Sequence, residues 1–458
     1  MKKYYFVLIV LLAVHLLLLV NLKFTAWPEM LSYPYLRNNG YLLYKDMIHP
    51  YPPLLTMALS VIFKIFGYKL IVLKLFTWII ILSVDVLIFF IARVLTNNIK
   101  YSIFALIFYI TVQPFLDGNM LWFDLAIVPP ILLATLFILK KPLNKNLFIA
   151  GLFFGIAALI KQTTGIFLMV NGLWLMVKYK DFRKLFTFLI GPFFLFLILV
   201  LRLITEGALG GFINWTMVYP FAYWGKFPGY VQMALSRHQL FTLVLLLTPL
   251  VFFLFKLRNN IFKDKNLIIL VSSILISVIL VYPRFSFFHL QLSLAFLAIL
   301  YGFLISRSNC KILPFAVYCA LLFLFVSRPI FKTDWQKETR FWGKEDIGLA
   351  GVIKKETNSN DRIFLLGPHS GLYVLADRLP PKIWSDNFGW YLEIPGIQEQ
   401  IINRWDTNKP EYIIIQDILP GNWHDLGTYR PKKIVDWINR NYFKKDEIQS
   451  GVWLWEEK

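Results

Sequence analysis

Gly40-Tyr-Leu-Leu-Tyr-Lys-Asp-Met-Ile-His-Pro-Tyr-Pro-Pro53, followed directly by the apolar run Leu54–Phe66, is the stretch on which the reading of this chain turns. The run is 13 residues long and starts behind Pro52 and Pro53. A membrane-spanning helix needs about 20 apolar residues, so the run reads as an interfacial or re-entrant helix. Counted as a span, it would invert everything downstream. The loop before it carries one acid, Asp46, among tyrosines, a histidine and prolines that fix φ and limit loop freedom.

The rest of the chain sets this loop at a membrane surface. Hydrophobic residues make up 58% of the 458 and charged residues 16%. Repeated apolar runs predict a polytopic α-helical membrane protein with about eleven spans, at 4–22, 72–95, 101–116, 121–139, 147–160, 165–177, 185–204, 239–255, 267–282, 287–305 and 312–327. With the N-terminus inside, the inner loops carry seventeen basic residues and the outer loops before the tail carry nine. The positive-inside rule favours that orientation, and an odd number of spans puts the tail outside. The expectation is a multi-pass protein of the cytoplasmic membrane, N-terminus cytoplasmic and C-terminal domain extracytoplasmic. The first helix has the basic start of a signal peptide but no clear small-residue cleavage site, and is read as retained.

The formal charge of +20 does not point to nucleic acid. From Arg328 onward there are nineteen basic and nineteen acidic residues, so the excess lies in the membrane part, where it sets topology. Cys310 and Cys319 are the only cysteines, which excludes a disulfide framework or a zinc cluster. Two domains are expected: 1–330 in the membrane, with a long first outer loop at 23–71, and 331–458 as a small extracytoplasmic α/β domain. In the latter, 362–367 and 411–416 read as strands and 434–442 as a helix. The aromatic-rich outer loop 205–237 reads as an interfacial anchor or a sugar platform.

Eight acids precede the tail: Glu29, Asp46, Asp85, Asp117, Asp124, Asp181, Glu206 and Asp264. Asp181 and Asp264 sit among inner lysines, and Glu29 and Glu206 read as surface residues. Asp85 falls inside a span, where an acid is costly and serves either function or packing. That leaves Asp46, Asp117 and Asp124 as candidate catalytic acids on the outer side. Asp46 reads as a general base or as a turn residue. Asp117 lies in an Asp-Gly turn, and Asp124 near a helix start, where the dipole favours an acid. Tyr44, Lys45 and His49 flank Asp46. Lys161-Gln162 interrupts two apolar helices at the outer face, where a lysine and a helix N-terminus could meet a phosphate. Arg284 suits an anionic headgroup, and His289 serves substrate or packing. Tyr44, Lys45, His49, Lys161, Gln162, Arg284 and His289 are thus the candidate substrate-binding residues. No phosphate-binding glycine loop, metal-spaced His/Cys cluster or nucleophile elbow is present. No cofactor is implied; the three outer acids could offer oxygen ligands to a divalent cation, but no ligand spacing supports one.

Several ordered motifs carry a family resemblance: Gly40…Tyr44-Lys-Asp46…Pro52-Pro53-Leu54, Phe63-Lys-Ile-Phe-Gly67, Gly151…Gly155-Ile-Ala-Ala-Leu-Ile-Lys-Gln162, Arg284…His289 and Gly371-Leu-Tyr-Val-Leu-Ala-Asp-Arg378-Leu-Pro380. On these the chain resembles GT-C superfamily glycosyltransferases that use polyprenyl-phosphate sugars. It is most similar to glycosyltransferase family 39, the dolichyl-phosphate-mannose–protein mannosyltransferase-like group, with family 87 the nearest alternative. The resemblance implies a GT-C-like fold and transfer of a sugar, mannose-like, from a polyprenyl-phosphate donor on the outer face with inversion. Acceptors would be a glycan, lipid or protein. Asp46 matches the first-loop acid and would be the base, Asp124 or Asp117 the second-loop acid, and Lys161 and Arg284 would neutralise phosphate. Met47 follows Asp46 where the family commonly has a second acid. A lipid-linked sugar flippase or transporter would need polar groups at mid-membrane on several helices, where Asp85 stands nearly alone; a polysaccharide polymerase is the third reading.

Overall fold

The computed structural model describes residues 2–257, 264–308, 312–425 and 427–458. Cys310 and the inner-loop basic residues Arg258, Lys263 and Lys311 lie outside them. Each of the eleven apolar segments is helical. Leu70–Thr96, Phe182–Thr205, Phe287–Ser308 and Ile312–Thr333 are long and apolar enough to cross a membrane. The others are Lys2–Asn21, Ile99–Val112, Val128–Leu139, Asn144–Ile160, Gly165–Tyr179, Arg237–Leu257 and Lys265–Ile279.

The chain folds as two compact units, and neither is a continuous stretch. One comprises 1–24, 73–198 and 233–337; the other comprises 25–72, 199–232 and 338–458. The long loops at 23–71 and 205–237 therefore fall largely in the same unit as the tail.

The first unit is a helical bundle around Gln291–Ser308, buried along nearly its whole length. Close helix approaches explain its glycines. A Cβ on Gly302 would lie 2.8 Å from the Tyr101 carbonyl oxygen, and one on Gly151 would lie 1.7 Å from that of Phe188. Gly155, one turn on, faces the Pro192 backbone at 2.9 Å. Small residues four apart let helix backbones touch where no hydrophobic effect drives association in lipid. Asp85 is fully buried and hydrogen-bonds His15 Nδ1 at 2.7 Å; His15 Nε2 meets Gln113 Oε1, and Gln113 in turn donates to Gln291. This network ties four segments together inside the bundle.

The second unit is built on a four-stranded sheet in the order β1-β2-β4-β3, with β1 Ile363–Leu366, β2 Tyr412–Gln416, β3 Tyr442–Gln449 and β4 Val452–Glu457. β1 and β2 pair in parallel, Ile363 opposite Tyr412, and β3–β4 is an antiparallel hairpin. All four β1 side chains are buried. The edge strand β3 exposes Lys444 and Lys445, charges that discourage further pairing. The sequence reading placed β1, β2 and the helix Lys432–Asn441 but not this hairpin. Its signal is the Ser450-Gly451 turn, Gly451 at φ +70°, followed by alternating Val-Trp-Leu-Trp.

Leu54–Phe66 is a helix that runs from Pro53 to Gly67. Leu55, Leu59 and Phe63, four apart, bury one face, while Val61, Ile65 and Phe66 stay more than half exposed on the other. A helix apolar on both faces suits a lipid surface. The loop aromatics have a different destination from the one expected. Trp215 and Trp224 pack on Tyr391, and Phe227 packs on Trp390 and Trp423. Only some of that loop, such as Phe221, is left for lipid or sugar.

Candidate active site

Within the second unit the 40–53 loop is rigid for reasons visible atom by atom. Tyr44 sits at φ +68° and its N–H bonds the Met47 carbonyl; the Asp46 N–H bonds that of Leu42. Trp384 N–H donates to the Asp46 carbonyl, and Ile48 N–H donates to the Trp384 carbonyl, so the loop is clamped as a short strand-like pair. A Cβ on Gly211 would lie 2.2 Å from the Tyr44 carbonyl oxygen, so only glycine lets that segment close on the loop.

The Asp46 carboxylate is oriented through one oxygen. Oδ2 accepts the Leu42 N–H at 3.0 Å and the Lys382 ammonium at 2.9 Å; Lys382 also donates to the Gly40 carbonyl. Among the described residues no hydrogen bond reaches Oδ1. The Asp46 side chain is 13% exposed.

The same loop walls a cavity of about 270 Å³. Its apolar lining includes Met57, Leu199 and Leu203, and its charged lining Arg37, Lys64, Arg202 and Glu206. Arg202 pairs with Glu206 at 2.8 Å. Burial, and the Arg202 charge next to it, lower the Arg37 guanidinium from its ordinary value, while Glu206 opposes that shift. Two arginines with one acid leave the cavity electropositive, which suits an anion with an apolar tail. Glu206 is thus a cavity residue rather than a simple surface acid.

Tyr44 is buried, and its hydroxyl donates to the Tyr51 carbonyl. Lys45 is exposed, its ammonium 3.4 Å from the Glu206 carbonyl. His49 is fully buried. Nδ1 bonds the Tyr51 carbonyl, Nε2 meets the Thr56 hydroxyl at 2.8 Å, and desolvation lowers its pKa to about 4. Both ring nitrogens are thus engaged within the loop and the helix that follows it.

The remaining candidates gather in the first unit. Asp124, 2% exposed, takes the Lys161 ammonium on Oδ1 at 2.6 Å and His289 Nδ1 on Oδ2 at 3.0 Å. Asp117, at φ +50° in its turn, accepts from the Ser286 hydroxyl at 3.3 Å. These contacts bind the 113–124 segment to the 282–291 segment, which also carries Arg284. Gln162 follows Lys161 in a short 3-10 turn. Lys161 and Asp124, expected as a phosphate ligand and a catalytic acid, form a buried ion pair, and His289 takes the second Asp124 oxygen. Among the described residues no group of three or more His, Cys, Asp or Glu side chains is placed to hold a metal ion.

Sequence reasoning missed Lys382, Arg37 and Arg202. Nothing in the local sequence marks them, because Lys382 meets Asp46, and Arg37 meets Arg202, only across a long stretch of chain. It also placed Glu29 on the surface; the structure buries it, 6% exposed.

No family model matches the chain, and no curated protein is significantly similar in sequence. Solved structures are similar in fold. ArnT from Cupriavidus metallidurans, bound to undecaprenyl phosphate, superposes with a TM-score of 0.62 at 11% identity, covering 98% of this chain and 97% of that one. The oligosaccharyltransferase of Archaeoglobus fulgidus in its apo form gives 0.55 at 11%, covering 91% and 69%. The arabinofuranosyltransferase AftD from Mycobacteria gives 0.54 at 11%, covering 98% of this chain and 40% of that one. The chain thus has the fold of GT-C membrane glycosyltransferases.

Proposed function

We propose that this protein is an integral membrane glycosyltransferase that moves a sugar from a polyprenyl-phosphate donor to an acceptor hydroxyl on the outer face of the cytoplasmic membrane, with inversion. The eleven apolar helices would span the membrane with the N-terminus inside and the sheet-bearing tail outside. The observation that carries this reading is Asp46, a clamped carboxylate on a loop that walls an electropositive cavity carrying Arg37, Lys64 and Arg202.

In the proposed reaction Asp46 Oδ1 takes the acceptor hydroxyl proton while Oδ2 stays held by Leu42 N–H and Lys382. The acceptor oxygen forms a bond to the anomeric carbon from the face opposite the phosphate. The bond from that carbon to the phosphate oxygen breaks, and its electron pair leaves with the lipid phosphate. Arg37 and Arg202 would hold that phosphate and stabilise its growing charge, with the prenyl chain along Met57, Leu199 and Leu203. The fold likeness supports this: the ArnT structure holds undecaprenyl phosphate, and an archaeal oligosaccharyltransferase AglB structure, TM-score 0.51, holds a dolichol-phosphate with an inhibitory peptide. A hexose, mannose-like, or a pentose fits the reading, with a glycan, lipid or protein as acceptor.

A second reading assigns the phosphate to Arg284, on the loop tied down by Ser286 and His289. The test is transfer from synthetic polyprenyl-phosphate sugars by purified protein and its Asp46→Asn variant. Loss of transfer with normal insertion supports the enzyme; full transfer by the variant removes Asp46 as the base. Donor translocation without transfer would favour a flippase.

A further inference from the structure

The second unit holds another cleft, on the far side of Trp384 from the Asp46 clamp in the sense that Trp384 bonds the loop through its backbone and also lines the cleft. Its enclosed volume is about 70 Å³. Four buried polar atoms of residues lining it have no hydrogen-bond partner: Glu29 Oε2, His369 Nδ1, Asp386 Oδ2 and Asn387 Oδ1. An unpaired buried polar atom costs about 1–3 kcal/mol, so four along one cleft call for an explanation.

Three of the four are carboxyl or amide oxygens. Asn387 spends its amide N–H on the Leu365 carbonyl, which leaves the oxygen. His369 Nε2 lies 2.9 Å from Asp346 Oδ1, and Nδ1 is left without a partner. Asp386 is held by the Tyr33 and Ser370 hydroxyls and keeps Oδ2 vacant. Glu29, in the first turn of the helix Glu29–Asn38, is more than nine-tenths buried. Burial and the neighbouring Asp386 push its carboxyl up to about 8. Trp27, Phe341 and Phe388 add aromatic walls; the Arg340 guanidinium already lies over the Trp27 and Phe341 rings, which leaves Phe388 as the wall for a further cation.

We propose that this cleft binds a primary ammonium group. Such a group is compact, positively charged and a donor only, with three N–H bonds to offer carboxylates and an amide oxygen. A neutral hydroxyl would bring an acceptor where none is wanted. Two sources share the chemistry: an amino sugar and an ethanolamine headgroup. The proposal goes beyond the transferase reading and does not depend on it, since its test reads binding rather than transfer.

The full-length protein in detergent is titrated with methylammonium chloride and, at equal ionic strength, tetramethylammonium chloride, following binding heat and Tm. Methylammonium should bind saturably and raise Tm; tetramethylammonium, which has no N–H, should not. Glu29→Gln and Asp386→Asn should each weaken methylammonium by about tenfold or more, the size of one charge-assisted hydrogen bond. If both variants misfold, the contrast between the two cations on the unmodified protein decides alone. Equal effects of both cations, no effect of methylammonium, or a response to magnesium alone overturn the proposal. Glucosamine and glycerophosphoethanolamine then separate the sources: tighter binding of either supports the site and names its source, and binding of neither overturns it.

Discussion

Asp46→Asn removes the proposed base while changing almost nothing else, and the structure gives both magnitudes. A general base contributes roughly 10²- to 10⁴-fold, about 3–5 kcal/mol of barrier. The structural loss is smaller. The amide oxygen of the variant can still accept the Leu42 N–H. What goes is the ion pair with Lys382, whose side chain is 40% exposed, and an exposed pair is worth at most about 1 kcal/mol. The expected outcome is a fall in kcat of at least about 100-fold with the donor KM unchanged and Tm lowered by no more than about 2–4 °C. The assay is transfer of labelled sugar from a synthetic polyprenyl-phosphate donor under saturating donor, with circular dichroism and thermal melting on the same preparations. Asp46→Glu, which keeps the carboxylate, should recover part of the rate. If the Asp46→Asn variant turns over within about tenfold of the native protein, the carboxylate takes no proton and the assignment fails.

Removing Arg37 or Arg202 as alanine should raise the donor KM by roughly 10- to 100-fold, the loss of a charge-assisted contact to phosphate, and leave kcat less affected; the reverse, with Arg284→Ala carrying the KM effect, would install the second reading. Gly151→Ala should cost about 1–3 kcal/mol or more in thermal stability, because the added Cβ would lie 1.7 Å from a backbone oxygen that cannot move alone. His49 makes a pH prediction. Its folded pKa, about 4, is below the 6.5 of the unfolded chain, so between those values only the unfolded state takes up the proton. The stability it supplies is complete above pH 6.5 and is lost as pH falls toward 4, by about 3 kcal/mol. Urea unfolding across that window should show the slope, and His49→Gln should flatten it.

The split between what the chain's letters foretold and what they hid follows from how far apart the cooperating residues lie. Apolar runs of helical length, the short run behind Pro52-Pro53 and the two apolar strands are local patterns, and each reappears as a helix or a strand. Asp46 was legible for the same reason: a lone acid in a proline-stiffened loop stands out where acids are rare. His289 with Asp124 was half legible; both were singled out, but their ion pair with Lys161 joins residues 37 and 165 positions apart. The β3–β4 hairpin was missed because an exposed, charge-rich edge strand shows little apolar alternation.

The sequence alone determined that this chain is a helical membrane protein with an acid-bearing first loop, because lipid imposes run lengths that can be counted. Only the tertiary structure decided the chemistry around that loop. Lys382 reaches Asp46 across 336 positions, and Arg37 meets Arg202 at a cavity that neither segment forms alone. Burial turned Glu29 from an apparent surface acid into one side of an acceptor-lined cleft. Charge, pairing and access are properties of neighbours in space, and the chain brings those neighbours together from segments too distant for any local pattern to record.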